Sequence, residues 1–361
     1  MLSSLIENSK SKLVFSENSS EYTVKDLLSK GSDIDTIKAG NWKICKARND
    51  VNSISSILYN LAESNNIAVI SDATPDDTTQ ELIKKLENEQ VTYQGIYGLG
   101  LLTSGTSGIP KIVVHDQTRI YRKCRINESE IYSRFGFSNI LCALQLSFGH
   151  GLIGNFLSAL STADKIVITN SDLKGLSSAG ELIKKHGINF LSSVPSMWKI
   201  LKHAIKGKNN HLNIGIGSAY LPRNLSEHLL KNTCNDLINF YGLTEMSNWI
   251  GFNKANQNIN ELYDSKGNAK FKMYDDVEYE IEQIEDDYGE LCLKHETMLV
   301  GYHGHRYPTT KHGHYRTSDI FSTSQDELGR LTMIGRDKFY VKRASIFAFI
   351  SSKHRLPKLP S

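Results

Sequence analysis

From about residue 49 onward the chain switches repeatedly between helical and strand periods of hydrophobicity, and this alternation restricts its fold more than any other feature. Asp50 precedes Val51, Ile54, Leu58 and Leu61, an N-cap residue in front of one apolar helical face. Ile67-Ala68-Val69-Ile70 is a continuous apolar run, as a strand covered on both faces requires. Ser71–Asp77 then supplies helix-start chemistry for a helix ending near Asn88. The same reading predicts strands at Ile140–Leu146, Lys165–Thr169, Ile188–Val194, Leu212–Gly217 and Asp236–Tyr241. It predicts helices at Leu152–Leu160 and Ala179–His186, and after Pro195 and Pro222. The expected fold is α/β, with layered, mostly parallel, helix-covered sheets whose ligands gather at the carboxyl ends of the strands.

Beyond about residue 270 the texture changes. Val277–Ile281 and Leu291–Lys294 alternate apolar with polar around the acidic turn Glu285-Asp286-Asp287-Tyr288-Gly289, which predicts a hairpin. The expected organisation is an α/β core over 1–268, a small antiparallel β subdomain over 269–334, and a hinge with a remnant tail over 335–361.

At 361 residues and 39% hydrophobic the chain can bury a full core, and 42 Lys+Arg against 39 Asp+Glu leave a formal charge of only +3. That balance argues against a basic nucleic-acid-binding tail. No apolar run approaches the roughly 18 residues of a membrane-spanning helix, and MLSSLIENSKSK is too polar for an export signal. The expectation is a soluble, cytoplasmic protein with neither nucleic-acid nor membrane partner. The five cysteines, Cys45, Cys124, Cys142, Cys234 and Cys292, form no Cys-x-x-Cys pair and read as reduced core thiols.

The chemistry concentrates in a few short stretches. Leu101-Leu102-Thr103-Ser104-Gly105-Thr106-Ser107-Gly108-Ile109-Pro110-Lys111 combines hydroxyls, turn-forming glycines and an ammonium, a composition suited to cradling a polyphosphate. Lys111 follows Pro110 and precedes Ile112, so the Walker spacing is not met; a solvated turn is the plain alternative. Tyr241-Gly242-Leu243-Thr244-Glu245 brings an aromatic face, a hydroxyl and a carboxylate to a strand end, where the carboxylate suits Mg²⁺. Tyr315-Arg316-Thr317-Ser318-Asp319 offers a carboxylate suited to a ribose diol, and Gly335-Arg336-Asp337 a further polar cluster.

Together these stretches resemble the adenylate-forming superfamily of acyl- and aryl-CoA synthetases, luciferase-like enzymes and adenylation domains of peptide synthetases. Thr103–Lys111 is similar to that family's Thr-Ser-Gly-Thr-Thr-Gly-x-Pro-Lys, departing at Ser107, and Tyr241–Glu245 matches Tyr-Gly-x-Thr-Glu in full. Gly289-Glu290-Leu291 with Gly301-Tyr302, Tyr315–Asp319 with Ser318 in place of Gly, and Ile334-Gly335-Arg336-Asp337 resemble the later motifs. The resemblance implies ATP- and Mg²⁺-dependent activation of a small carboxylic acid as an acyl-adenylate, followed by transfer to CoA or to the phosphopantetheine thiol of a carrier protein. It also implies roles. Thr103, Ser104, Gly105, Thr106, Ser107, Gly108 and Lys111 would cradle the β- and γ-phosphates. Gly217, Ser218 and Ala219 would line the adenine, with Tyr241 on its other side and Gly242 beside it. Thr244 would contact the α-phosphate, Glu245 would hold Mg²⁺, and Asp319 and Arg336 would grip the ribose. Lys111, Thr244 and Glu245 form the catalytic set.

Amino-acid-activating relatives anchor the substrate ammonium with an Asp where this chain resembles them at Ser147-Phe148-Gly149-His150-Gly151, with Gly149 at that position. A buried ammonium without a carboxylate is costly, so an aryl or fatty acid is expected. Phe148, Gly149, His150, Trp198 and Trp249 are candidate pocket residues, with core packing as the alternative for the tryptophans. His303-Gly304-His305 and His312-Gly313-His314 could instead bind a transition metal or form a polar loop. Family members carry a mobile C-terminal lid whose lysine bridges carboxylate and α-phosphate; nothing around Lys342 or Lys353 matches it, and the expectation is a chain trimmed at both ends. An enzyme completed by a separate protein, a nucleotide- or acyl-binding pseudoenzyme and a fragment of a longer enzyme all remain open.

Overall fold

Parallel pairing is concentrated where the helix and strand periods alternate, and the strands after residue 247 all pair antiparallel among the described residues. In the larger sheet β8 (Asn139–Cys142) lies between β9 (Lys165–Ile168) and β10 (Phe190–Ser193), followed by β11 (Asn209–Ile216) and β12 (Cys234–Leu243), all parallel. β1 (Lys12–Phe15) adds in parallel to β9, and β2 (Ser20–Tyr22) closes that edge antiparallel. On the other side β13 (Asn248–Ala255) turns back along β12, and β14 (Lys270–Met273), β19 (Leu331–Arg336), β18 (Tyr315–Gln325), β16 (Tyr288–Lys294) and β15 (Glu278–Glu285) follow antiparallel. The small antiparallel region therefore continues the large sheet through β13 and β14, giving thirteen strands among the described residues. The hairpin read from the sequence is β15–β16, with Glu285 opposite Tyr288 at its tip.

The second sheet runs β17 (Gly301–Tyr302), β7 (Lys111–Asp116), β6 (Gly98–Thr103), β5 (Ile67–Asp72), β4 (Trp42–Ala47) and β3 (Ile37–Ala39). Among the described residues β4–β5 and β5–β6 pair parallel and the other pairs antiparallel, so this layer is mixed. A hairpin of β20 (Tyr340–Arg343) and β21 (Ile346–Phe349) follows. The computed structural model describes residues 1–34, 36–39, 42–63, 66–89, 97–103, 110–303, 309–336, 340–343 and 346–349.

The helix Val51–Ala62 begins where expected: Asp50 accepts a hydrogen bond from Ser53 N, and Ile54, Ile57, Leu58 and Leu61 are buried. Asp116 caps Gln117–Asn127 in the same way, through Arg119 N. Two segments with ordinary helical patterns are instead wide π-turns, Glu128–Ser133 and His150–Leu157. They brace each other, because the Tyr132 hydroxyl lies 2.8 Å from Gly154 O and 3.0 Å from Asn155 O, carbonyls that a regular ladder would occupy. All five cysteines are free and buried, and burial pushes the thiols of Cys45, Cys124 and Cys234 up to about 12. Among the described residues no helix is long and apolar enough to cross a membrane.

Candidate active site

The β6–β7 hairpin ends on the pair Thr103–Lys111, so a hydroxyl and an ammonium stand where its loop begins and ends. Ser104, Gly105, Thr106, Ser107 and Gly108 lie outside the described residues. β17 pairs along the other side of β7, setting Tyr302 opposite Val113. Its ring centroid lies 5.1 Å from the Lys111 ammonium, within cation–π range. The Tyr302 hydroxyl donates to Glu245 Oε1 at 2.7 Å and lies 2.9 Å from the Tyr315 hydroxyl. Burial, reinforced by the Glu245 carboxylate, holds both phenols well above their ordinary range, so both stay protonated at neutral pH.

Glu245 sits on the tight turn Thr244–Met246 that follows β12. The chain reverses sharply here: a Cβ on Gly242 would lie 2.4 Å from Asn248 O, which explains the glycine. At the near end of the same motif the Tyr241 hydroxyl donates to Asp319 Oδ2 at 2.8 Å. Asp319 and Arg336 face each other across β18 and β19, with Arg336 Nε 2.6 Å from Oδ1 and Nη2 3.3 Å from Oδ2. Asp319 is fully buried and Arg336 is exposed, so the carboxylate is fixed from below while its partner reaches solvent. Ser318, at the position the family motif gives to glycine, adopts φ +61°.

Gly217 ends β11's apolar run against His150, to whose Cε1 an added Cβ would come within 3.2 Å. Ser218, at φ +65°, and Ala219 are exposed beyond it. His150 lies 2.9 Å from Ser218 Oγ through Nδ1 and 2.7 Å from Ser192 Oγ through Nε2. Burial lowers its pKa to about 3, so the imidazole is neutral. Its ring meets Trp249 edge-on at 5.4 Å, and Trp249 stacks on Phe240 at 3.9 Å. The nucleoside-facing and acyl-facing candidates are thus joined through Ser218 and His150. Gly149 adds a carbonyl that accepts from Asn248 Nδ2 at 3.0 Å, and a Cβ there would meet only Leu101 Cδ1 at 3.4 Å.

Trp198 and Phe148 do not join this cluster. Trp198 Nε1 donates to Ser193 Oγ, whereas His150 bonds Ser192; neighbouring strand residues project to opposite faces, which puts Trp198 across the sheet. Phe148 is 57% exposed. Of the histidine pairs, His305 lies outside the described residues, and His312 and His314 flank Glu280 at 3.1 and 3.6 Å; among the described residues no group of three metal-ligating side chains includes a histidine. Cavities of about 780 Å³ and 450 Å³ lie away from all of these residues. The larger is lined by Lys12, Asn139 and Lys165, the first residues of β1, β8 and β9, at the amino ends of the parallel strands. Ligand chemistry in open sheets sits at the opposite ends, where Gly217 and Tyr241–Glu245 lie.

Sequence reasoning missed several participants. Tyr302 and Tyr315 stood inside recognised motifs but received no role. His115 and Lys123 are fully buried and gave no local signal. His115 Nε2 lies 2.8 Å from Thr244 O, and burial lowers its pKa to about 4. Lys123 Nζ donates to Trp249 O at 2.9 Å.

Comparison with known proteins agrees with this architecture. The profile of a family described as AMP-binding enzyme matches residues 2–303. Malpinin synthetase of Mortierella alpina is 26% identical over 50% of this chain and 2% of its own length. A CoA ligase of Gibberella moniliformis is 25% identical over 62% of this chain and 46% of its own. The chain therefore spans less than half the length of these curated relatives. The structure of o-succinylbenzoate CoA synthetase from Bacillus subtilis, in complex with its acyl-adenylate intermediate, superposes with a TM-score of 0.74 at 16% identity, covering 96% of this chain and 79% of that one.

Proposed function

The chain belongs to the AMP-binding enzyme family, and from that premise we propose that it activates an aryl or fatty carboxylic acid with ATP and passes the acyl group to a thiol, that of CoA or of a carrier-protein phosphopantetheine. The observation that carries the reading is the joining of residues 111, 245, 302 and 315 into one cluster through Tyr302, with Tyr241 linking it to Asp319 and Arg336.

In the first step an oxygen of the substrate carboxylate attacks the α-phosphorus of ATP, a Pα–O bond forms, and the bond to the β-phosphate oxygen breaks to release pyrophosphate. In the second a thiol attacks the acyl carbonyl and AMP leaves. Neither needs a covalent bond to the protein, so the chain's contribution is position and charge. Lys111 and Thr103, with residues 104–108 between them, hold the transferred charge of the β- and γ-phosphates. Asp319, fixed by Tyr241 and Arg336, accepts from the ribose hydroxyls. Thr244 donates its hydroxyl to the α-phosphate.

Glu245 fits a role as a Mg²⁺ ligand: Oε1 is oriented by Tyr302, and one carboxylate completed by phosphate and water oxygens is how this ion is commonly held. When bound, the ion neutralises phosphate charge. Gly149 supports an acid without an α-amino group, because the neutral His150 and the Trp249–Phe240 stack beside it offer no carboxylate to an ammonium. Incubation with ATP, Mg²⁺, hydroxylamine and a panel of aryl, fatty and amino acids tests this: hydroxamates should form from aryl or fatty acids. An amino-acid-only pattern would refute the Gly149 argument, and ATP binding without hydroxamate from any acid would favour a nucleotide-binding pseudoenzyme.

A further inference from the structure

The turn that carries Thr244 and Glu245 is held from outside at every carbonyl. Thr244 O lies 2.8 Å from His115 Nε2, Glu245 O accepts from Leu299 N at 2.7 Å, and Met246 O lies 3.1 Å from Thr297 Oγ1. The turn ends in two consecutive non-glycine residues of positive φ, Ser247 at +55° and Asn248 at +103°. Such backbone persists only where its surroundings over-determine it. Ser247 supplies part of that hold, since its Oγ lies 2.7 Å from Thr297 O and 2.9 Å from His115 Nδ1 and its one hydrogen serves either acceptor.

A second layer stands behind the first. Thr297 N donates to His295 Nδ1 at 3.2 Å, the Thr297 hydroxyl lies 2.6 Å from the same nitrogen, and His295 Nε2 reaches Asp276 Oδ2 at 3.0 Å. Because the Thr244 carbonyl can only accept, the hydrogen of His115 is assigned to Nε2. His115 comes from β7, four residues after Lys111, so the strand that begins at the phosphate-loop lysine also anchors the turn of the carboxylate.

We infer that His115 and Thr297 are positioning residues for Glu245, fixing the turn so that its carboxylate meets Mg·ATP in one orientation. This rests on the reading of Glu245 given above. Both residues are fully buried, and each acts through a backbone carbonyl of the turn, as outer partners of metal ligands do. Gln can present its amide N–H where His115 Nε2–H stands, and Ser keeps the hydroxyl of Thr297, so both substitutions should restore what Ala and Val remove.

The test is calorimetric ATP binding titrated against MgCl₂ on the whole chain, for wild type, His115→Ala, His115→Gln, Thr297→Val and Thr297→Ser, with melting temperatures recorded alongside. The expected result is a Mg²⁺ requirement raised about tenfold or more in His115→Ala and Thr297→Val. ATP affinity without Mg²⁺ should not change, and the Gln and Ser variants should lie near wild type. If His115→Ala does not fold, the Thr297 pair decides. Lowered melting temperatures with a wild-type Mg²⁺ requirement would overturn the inference and leave these residues a structural role only. Acid-independent, Mg²⁺-dependent ATP binding without turnover would count against the proposed reaction but not against the positioning. Absence of Mg²⁺-dependent ATP binding in the wild type would overturn both.

Discussion

Lys123 is a costly side chain to bury, and replacing it should stabilise the protein. It has no exposed surface, its ammonium donates to Trp249 O and lies 5.6 Å from the Tyr274 ring centroid, and burial lowers its pKa from 10.5 to about 7. The unfolded chain therefore binds one more proton than the folded chain between about pH 7 and 10.5, and stability rises with pH across that window. Each pH unit is worth about 1.4 kcal/mol, so at pH 8 keeping the amine neutral costs roughly 3 kcal/mol. Lys123→Met keeps the stem volume and removes that cost. It gives up one hydrogen bond and leaves a carbonyl less satisfied, about 1 to 2 kcal/mol. The expected net is a gain of about 1 to 2 kcal/mol at pH 8, seen as a raised urea midpoint by tryptophan fluorescence. The variant should also lose the part of the wild-type rise in stability between pH 7 and 9.5 that this group contributes. A variant destabilised by more than about 2 kcal/mol, with the wild-type pH slope intact, would mean that the folded state holds Lys123 charged and would refute the reasoning.

Four further outcomes follow from the same geometry. Asp319→Asn removes the charge that faces Arg336 and should abolish the preference for ATP over 2′,3′-dideoxy-ATP in equilibrium binding; an unchanged preference would remove Asp319 from the ribose site. Ser318→Gly relieves a side chain at φ +61° and should raise stability by about 1 kcal/mol in urea denaturation. His115 and His150, with pKa values lowered from 6.5 to about 4 and about 3, stay neutral in the fold while the unfolded chain protonates. Stability is then lost as pH falls below 6.5, at up to roughly 1.4 kcal/mol per pH unit for each histidine; His150→Gln should lessen that loss between pH 6.5 and 5. Gly217→Ala forces a methyl to 3.2 Å from His150 Cε1 and 3.3 Å from Phe240 Cβ, and should lower the melting temperature.

Much of the scaffold was legible because its elements declare themselves locally. Asp50 and the face from Ile54 to Leu61 specify one helix, and the alternation around Glu285–Gly289 specifies the β15–β16 hairpin. The site motifs were legible for the same reason, since Tyr241–Glu245 and Tyr315–Asp319 are contiguous strings with their chemistry intact. What was hidden depends on contacts distant in sequence. β1 is four residues long and finds its place only by pairing with β9, about 150 residues later. His115 ends an apolar strand and looks like packing until β7 meets the turn 129 residues away. The π-turn at His150–Leu157 carries an ordinary helical pattern, and its widening comes from the Tyr132 hydroxyl taking carbonyls of a neighbouring segment. Trp198 and Trp249 look equivalent in sequence, yet Trp198 bonds Ser193 while Trp249 packs against His150, which bonds Ser192 on the opposite face of that strand.

The most direct test of the central claim is exchange of labelled pyrophosphate into ATP by the purified chain, with Mg²⁺ and each of a set of carboxylic acids. Acyl-adenylate formation predicts exchange that requires both an acid and Mg²⁺, responds to aryl or fatty acids, and falls by at least about tenfold in Glu245→Gln. Measurable ATP binding with no exchange for any acid, or exchange that persists without an acid, would contradict it.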